Sequence, residues 1–305
     1  MSALNKTMQE RDLQKITTKQ RVAKILLKIL TYTFLTIMAL IVIFPFYWMI
    51  ISSLKTVNEF RNYDTFFPMI DGVEFENYAL AFKVGTGGQG LLHFFLNTAF
   101  VGVVSTLLSL VITVLSAFAF ARLEFKGKNL LFGALLATMM IPGELFTVTN
   151  FSTVKLIFDW NEGKEPFLSL IIPFLVSVFY IYLLRQNFMQ IPNELYLAAK
   201  VDGTSDIKYL WKVMIPLSYP SLISITILKM MGAWNSYKWP QLVARQFPLI
   251  TNGIRNHLNI KDAAGETSVP AQMAAVFLVS IPLFLVFIFL RKYIMKGVSR
   301  SGIKG

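Results

Sequence analysis

Ile191-Pro192-Asn193-Glu194-Leu195-Tyr196-Leu197-Ala198-Ala199-Lys200-Val201-Asp202-Gly203-Thr204 interrupts an otherwise apolar chain and runs on to Ile215-Pro216-Leu217 before the next hydrophobic stretch. Its polar residues are spaced for two short helices. Asn193 suits the N-cap of the first, and Gly203 supplies the positive φ that ends it. Ser205 suits the N-cap of the second, with Asp206 in its first turn and Pro216 as its stop. On the first helix Leu195, Ala198, Ala199 and Asp202 fall at i, i+3, i+4 and i+7, a small-residue face that another protein surface can approach closely. Taken alone, the segment is also consistent with a plain helix-turn-helix link between two membrane spans.

Hydrophobic residues make up 55% of the 305, aromatics 14% and charged residues only 15%, too apolar a balance for a soluble domain of this length. A membrane span needs about 20 apolar residues. Six stretches qualify, at 30–54, 91–121, 129–150, 167–186, 217–238 and 270–291. The expected fold is therefore all-α and polytopic. A six-helix membrane domain covers 30–291, with the polar link at 187–216, a basic tail over 1–29 and a short tail over 292–305. The first stretch lacks a small-residue cleavage site and reads as a retained span.

The net charge of +12 takes its meaning from its placement. Seven Lys or Arg fall in 1–28, three in 122–128, four in 185–212 and five in 291–305. The intervening loops hold the acids: five in 55–90, three in 151–166 and two in 239–269. Positive segments mark the cytoplasmic side, so six spans with both termini inside is self-consistent. The basic excess is topology rather than a nucleic-acid footprint. The last part of the N-terminal tail, Gln20 to Leu30, is either a plain positive anchor or a helix lying on anionic lipid.

Catalytic chemistry is not visible in the chain. It has no cysteine, and its two histidines, His93 and His257, are far apart. No Walker-type phosphate loop and no metal-ligand spacing occurs, so neither a cofactor nor a metal is expected. Gly85-Thr86-Gly87-Gly88-Gln89-Gly90 is glycine-rich but lacks the Lys-Ser/Thr ending and reads as a flexible outer loop.

Within the spans, Ser105, Ser109, Thr113, Ala117 and Ala121 form a small-residue stripe, suited to tight helix packing or to lining a path. Pro142 is expected to kink or stop the third span. Glu144, Lys229 and Asn235 stand out because such groups are costly in hydrocarbon and usually face a bundle interior. Lys229 lies roughly 20 Å beyond Pro216 along a helix. Either it pairs with Glu144 or it snorkels outward. Trp234 fits either an interfacial belt or, with Asn235, a substrate path.

The polar link resembles the EAA loop of ATP-binding-cassette importer permeases. Ala198, Ala199, Gly203 and the Val213-x-Ile215-Pro216 ending stand where that motif expects them. One departure is Leu197, which replaces the motif's Glu; Glu194 fits the Pro-x-Glu-Leu lead-in of sugar-type members. The likeness continues in the Ser52-Ser53-Leu54-Lys55 exit, the Asn77-Tyr78 pair, Trp234-Asn235 followed by Trp239-Pro240, and the glycine-containing tail from Tyr293 to Gly305. Together these are similar to the second permease subunit of carbohydrate-uptake importers of the maltose type.

The resemblance implies a bacterial cell-membrane protein paired with a related permease, a dimer of ATPase subunits and an extracytoplasmic solute-binding protein. It implies that Glu194, Leu197, Ala198, Ala199, Asp202 and Gly203 meet the ATPase, where ATP is hydrolysed. The tail, including Gly302 and Lys304, is implied to reach into the ATPase dimer as an extended peptide; three glycines in its last nine residues disfavour a helix. The expected substrate is a neutral oligosaccharide or similar polyhydroxylated solute passing Glu144, Lys229, Trp234 and Asn235. A glycerol-3-phosphate importer is the alternative within the class, because Lys229 suits a phosphate. A secondary transporter fits less well, since no repeated halves or paired coupling carboxylates are visible.

Overall fold

The computed structural model describes residues 2–62, 72–83, 90–160, 165–257, 260–261, 265 and 267–299. Among them the protein is helical, and its β structure is a single bridge between Lys261 and Thr267. Three helices are long and apolar enough to cross a membrane: α1 (Ser2–Ser53) over its Gln20–Ser53 part, α4 (Leu91–Arg122), and α15 (Val269–Ser299) over Val269–Lys292. Three further crossings arise if each bent helix pair counts as one span.

Those bends follow from the sequence. In the third apolar stretch α5 (Lys128–Thr138) and α6 (Gly143–Ser152) meet at 93°, with extended Pro142 as the N-cap of α6. Proline has no N–H to continue the ladder, and its ring disfavours a helical residue before it. A π-helical turn, Thr153–Ile157, follows α6. The fourth stretch breaks by 45° between α7 (Pro166–Ile171), with its 3-10 extension to Phe174, and α8 (Val178–Met189). After the polar helices α9 (Asn193–Val201), α10 (Asp206–Tyr209) and α11 (Ile215–Leu217) comes α12 (Tyr219–Trp234), the apolar arm of the fifth stretch. It starts two residues later and ends four earlier than the 217–238 expected, and lies at 81° to the arm before it.

The two ends of the chain differ in how they meet expectation. The basic region before residue 30 is helical and continuous with the first apolar stretch, α1 being one helix from Ser2. At the other end α15 continues to Ser299, so Tyr293 to Ser299 is helical rather than extended. Of the three glycines only Gly297 lies inside α15, and one interior glycine costs only about 1 kcal/mol relative to alanine, which an established helix absorbs. Gly302 and Lys304 lie outside the described residues.

Packing centres on α4. Its face of Ser105, Ser109, Thr113 and Ala117 is buried, and α8, α12 and α14 (Ile250–His257) lie against this helix. Small side chains let helix backbones approach where lipid removes any hydrophobic drive. The stripe serves packing, apart from Ser105 at one end, which also borders a cavity. α1 lies along α15 and otherwise presents apolar side chains outward, as a lipid-facing helix does. At the Ser53 end of α1 the two resemblance motifs meet. Asn77, on α3 (Glu76–Phe82), donates from Nδ2 to the carbonyls of Ser53 (3.0 Å) and Lys55 (2.8 Å), and the Tyr78 and Ser53 hydroxyls are 2.7 Å apart. Lys55 pairs with Glu59 of α2 (Val57–Asn62) at 3.8 Å, both side chains buried.

Candidate functional site

Two places carry functional geometry: the polar module formed by α9 to α11, and a cavity among α4, α7, α8, α12 and α13 (Lys238–Val243).

In the module, α9 begins one residue earlier than expected. Pro192 occupies the N-cap with extended backbone and no side-chain cap, so Asn193 is the first helical residue. The other end forms as the sequence implies. Gly203 has φ +70°, with bonds from its N–H to Lys200 O (3.0 Å) and from Thr204 N–H to Ala199 O (2.8 Å). This is the paired closure of a Schellman motif, which needs a left-handed residue at that point. Ser205 caps α10, its hydroxyl accepting from Lys208 N–H at 3.4 Å. Pro216 does not stop the second helix. The chain passes through a π-helical turn at Leu210–Met214 into α11 and breaks only at Ser218. The wide turn accommodates a proline that cannot bond back to residue 212.

A polar lock joins the two short helices. The Tyr196 hydroxyl donates to Asp206 Oδ1 at 2.7 Å, Lys200 Nζ reaches the same oxygen at 2.8 Å, and the Tyr196 and Tyr209 rings lie 5.1 Å apart. The Lys200 ammonium, then the Tyr196 hydroxyl, holds the Asp206 carboxyl below the usual carboxylate range. The hydrogen bond to Asp206 raises Lys200 in turn. Burial, then the bond to Asp206, raises the Tyr196 phenol.

The expected small-residue face straddles the boundary of the module. Ala199 packs inward beside Tyr196, against the cluster containing Phe188, Tyr209 and Leu210, while Leu195, Ala198 and Asp202 are exposed. Glu194 is exposed as well, and so are the apolar side chains of Leu195, Leu197, Val201, Ile207 and Trp211.

Sequence reasoning missed how the module is tied down. Arg122, at the end of α4, is buried and donates from Nη2 to Phe188 O (2.9 Å) and to Ile191 O, just before α9. Arg185 of α8 reciprocates, donating to Phe120 O at 3.0 Å with its guanidinium 4.0 Å from the centre of the Phe132 ring. In the sequence both read only as topological charge. What marks them is position: each lies near the C-terminal end of its helix, where the other's unsatisfied carbonyls collect.

The cavity holds about 380 Å³. Phe174, Tyr180 and Trp239 give it aromatic walls, Ser105, Ser177 and Ser236 add hydroxyls, and Lys229 projects its ammonium there. Lys229 donates to the carbonyl of Phe174 and stands 5.9 Å from the Tyr180 ring centre. Among the described residues it makes no ion pair with Glu144, which is exposed in the first turn of α6. Trp239 is fixed by its indole N–H to Ser169 O (2.9 Å) and by an edge contact with Phe174. Trp234 and Asn235 are not part of the lining. Trp234 is buried edge-on to Phe95 at 5.3 Å, and its carbonyl accepts from the Thr251 hydroxyl; Asn235 is exposed at the end of α12. Of the four path candidates, only Lys229 reaches the cavity. Trp239, five residues after Trp234, supplies the aromatic wall.

Residues 109–300 match the family model described as binding-protein-dependent transport system inner membrane component. The chain belongs to that family. A probable ABC transporter permease of Mycoplasma pneumoniae is 31% identical over 277 residues, covering 87% of this chain and 85% of the relative. The arabinooligosaccharides transport system permease protein AraQ of Bacillus subtilis is 27% identical, covering 89% of this chain and 94% of its own. Among solved structures, a bacterial ABC transporter involved in import of the acidic polysaccharide alginate superposes with a TM-score of 0.76 at 22% identity, over 88% of this chain and 96% of that one. The fold is thus that of a multi-pass importer permease, and the EAA-type resemblance falls inside the matched region.

Proposed function

We propose that this chain is one of two related permease subunits of a carbohydrate importer in a bacterial cell membrane. ATP hydrolysis takes place in a separate pair of subunits. An extracytoplasmic binding protein delivers the sugar. Both termini and residues 187–216 are cytoplasmic, the arrangement the basic segments favour.

The observation that carries this reading is the two-helix module. It has a rigid glycine turn, an internal Tyr196–Asp206–Lys200 lock and an apolar outer surface, and Arg122 ties the chain just before it to the central helix. A module stiff in itself and anchored to a membrane helix is what transmits motion from a soluble motor to a bundle. Glu194, Leu197, Ala198, Ala199, Asp202 and Gly203 belong to it, with Leu197 making an apolar contact where the motif has a Glu. Gly302 and Lys304 are assigned to the same ATPase contact through the resemblance alone. The carbohydrate assignment draws on the aromatic, hydroxyl-bearing cavity, since aromatic faces with a few placed polar groups suit sugar rings. It also draws on relatives such as AraQ.

The test is reconstitution of the complete importer in proteoliposomes, with labelled oligosaccharide uptake and ATP hydrolysis measured together. Uptake that requires the binding protein and ATP supports the reading. ATP-independent uptake driven by an ion gradient would sink it.

A further inference from the structure

The neutral lining of the cavity leaves Lys229 unexplained. It lies within α12, half-buried, its ammonium in a space lined by aromatics, aliphatics and serines. None of the lining residues is acidic, and no ion pair involves Lys229 among the described residues. A cation withdrawn from water at membrane depth is costly until a counter-charge or a full set of hydrogen bonds replaces the lost solvation. The Phe174 carbonyl, at the end of the broken α7 segment, takes one N–H, and the Tyr180 ring offers partial relief. A lysine ammonium carries three donors, so two remain for the cavity. Beside them stand the Ser105, Ser177 and Ser236 hydroxyls and the faces of Tyr180 and Trp239. The donors suit a polyhydroxylated ring, and the charge is left for something negative.

We infer that this cavity binds a carbohydrate bearing an anionic oxygen group, a sugar-acid carboxylate or a phosphate ester, with the Lys229 ammonium as its ionic contact. The inference rests on the carbohydrate-importer reading and narrows it, replacing the neutral solute expected from the sequence. Its rival is a purely structural Lys229 that clasps the Phe174 carbonyl and so joins α12 to the broken fourth span. The two differ in one respect: a clasp needs a donor, whereas an anion site needs a charge.

The experiment uses the complete importer in proteoliposomes with three labelled solutes: a neutral arabinose trisaccharide, a galacturonic acid trisaccharide and glycerol 3-phosphate. Lys229 is changed to Arg, to Gln and to Met. The wild type should carry one of the anionic solutes in preference to the neutral one; which of the two it carries identifies carboxylate or phosphate as the source. Lys229→Arg should keep that preference. Lys229→Gln, which retains an N–H for Phe174, should lose anionic uptake by about tenfold or more through a raised KM, with assembly of the complex intact. Lys229→Met should behave as Lys229→Gln does. Anionic uptake at wild-type KM in Lys229→Gln would overturn the site in favour of the clasp. Wild-type uptake confined to the neutral sugar would overturn it while leaving the importer reading standing. ATP-independent uptake would bring down both.

Discussion

The polar module and the cavity are built by opposite means. The hydrogen bonds and the ion pair within α9 and α10 span few residues: Gly203 back to Lys200, Thr204 to Ala199, Tyr196 and Lys200 to Asp206. The cavity is closed by contacts across long stretches of chain, from Trp239 to Ser169 and from Lys229 to Phe174. A locally determined module can keep its shape while the bundle rearranges around it. A cavity walled by broken helices changes shape whenever those helices shift. An importer needs one of each, a rigid handle and a deformable site. Substitutions in the module should therefore uncouple the protein without unfolding it, and substitutions in the packed body should unfold it.

The largest effect is expected from Gly203→Val. An added Cβ meets nothing within 4 Å, so no clash with a neighbour arises; the penalty is the left-handed backbone itself, at φ +70°. That conformation costs a residue with a Cβ about 1–2 kcal/mol, and a β-branched one more. Relief by shifting φ reorients α10 and breaks the lock. Substrate-stimulated ATP hydrolysis of the assembled complex should fall about tenfold or more, with membrane insertion unchanged. Coupled hydrolysis at the wild-type rate would show that the turn does not set the handle.

Arg122→Ala tests where the two regimes join. It removes the donor shared by the Phe188 and Ile191 carbonyls and leaves them in a buried setting. Charged hydrogen bonds of this kind contribute about 1.5–3 kcal/mol, so both thermal stability in detergent and coupling should drop. A loss of coupling with unchanged melting would place Arg122 with the module rather than the body.

Gly253→Ala should act on the body alone. A Cβ there would run into the ring of fully buried Phe94. Overpacking of this kind costs about 1–3 kcal/mol, read as a lower melting temperature with coupling per folded complex unchanged. Gly102→Ala is the control. Its Cβ would make ordinary contacts, 3.4 Å from the Met230 side chain and 3.6 Å from Ala233, so stability should hold or rise.

How far the sequence revealed each region follows the same division. The Gly203 turn, the Ser205 cap and the break near Pro142 are local events with local residue signals, and all three appear in the structure. Hydropathy found the apolar stretches, but it carries no information on bending. The helix break after Phe174, which frees the carbonyl that Lys229 meets, left no clear signal beyond Pro173. Tyr180 is an ordinary span aromatic until folding brings it to the cavity wall; the motif drew attention to both tryptophans, but the path role was assigned to Trp234, which lies in the core, and not to Trp239, which lines the cavity. Arg122 and Arg185 were hidden because a charge at the end of a span satisfies the positive-inside pattern whatever else it does.

The smallest expected effect is the most discriminating for the module. Tyr196→Phe removes one hydroxyl from the lock and leaves the ring stack on Tyr209 and the Lys200–Asp206 pair in place. A part-exposed hydrogen bond contributes about 0.5–1 kcal/mol, so coupling should weaken by a few-fold at most. The pH dependence then separates the lock from mere packing. Asp206 titrates below its ordinary range, so its contribution is complete above that range and is lost as pH falls through the lowered value. Lys200 titrates above its ordinary range, so its contribution is complete below that range and is lost as pH rises through the raised value. Coupling in the wild type should thus hold a plateau between the carboxylate and lysine ranges and decline on the acid side as Asp206 protonates. Removing the Tyr196 hydroxyl takes away one of the two bonds that hold Asp206 ionised, so the acid decline of Tyr196→Phe should begin at a higher pH. If the two acid limbs coincide, the hydroxyl does not hold the carboxylate, and the stiffness of the handle belongs to the Gly203 turn and the Tyr209 stack.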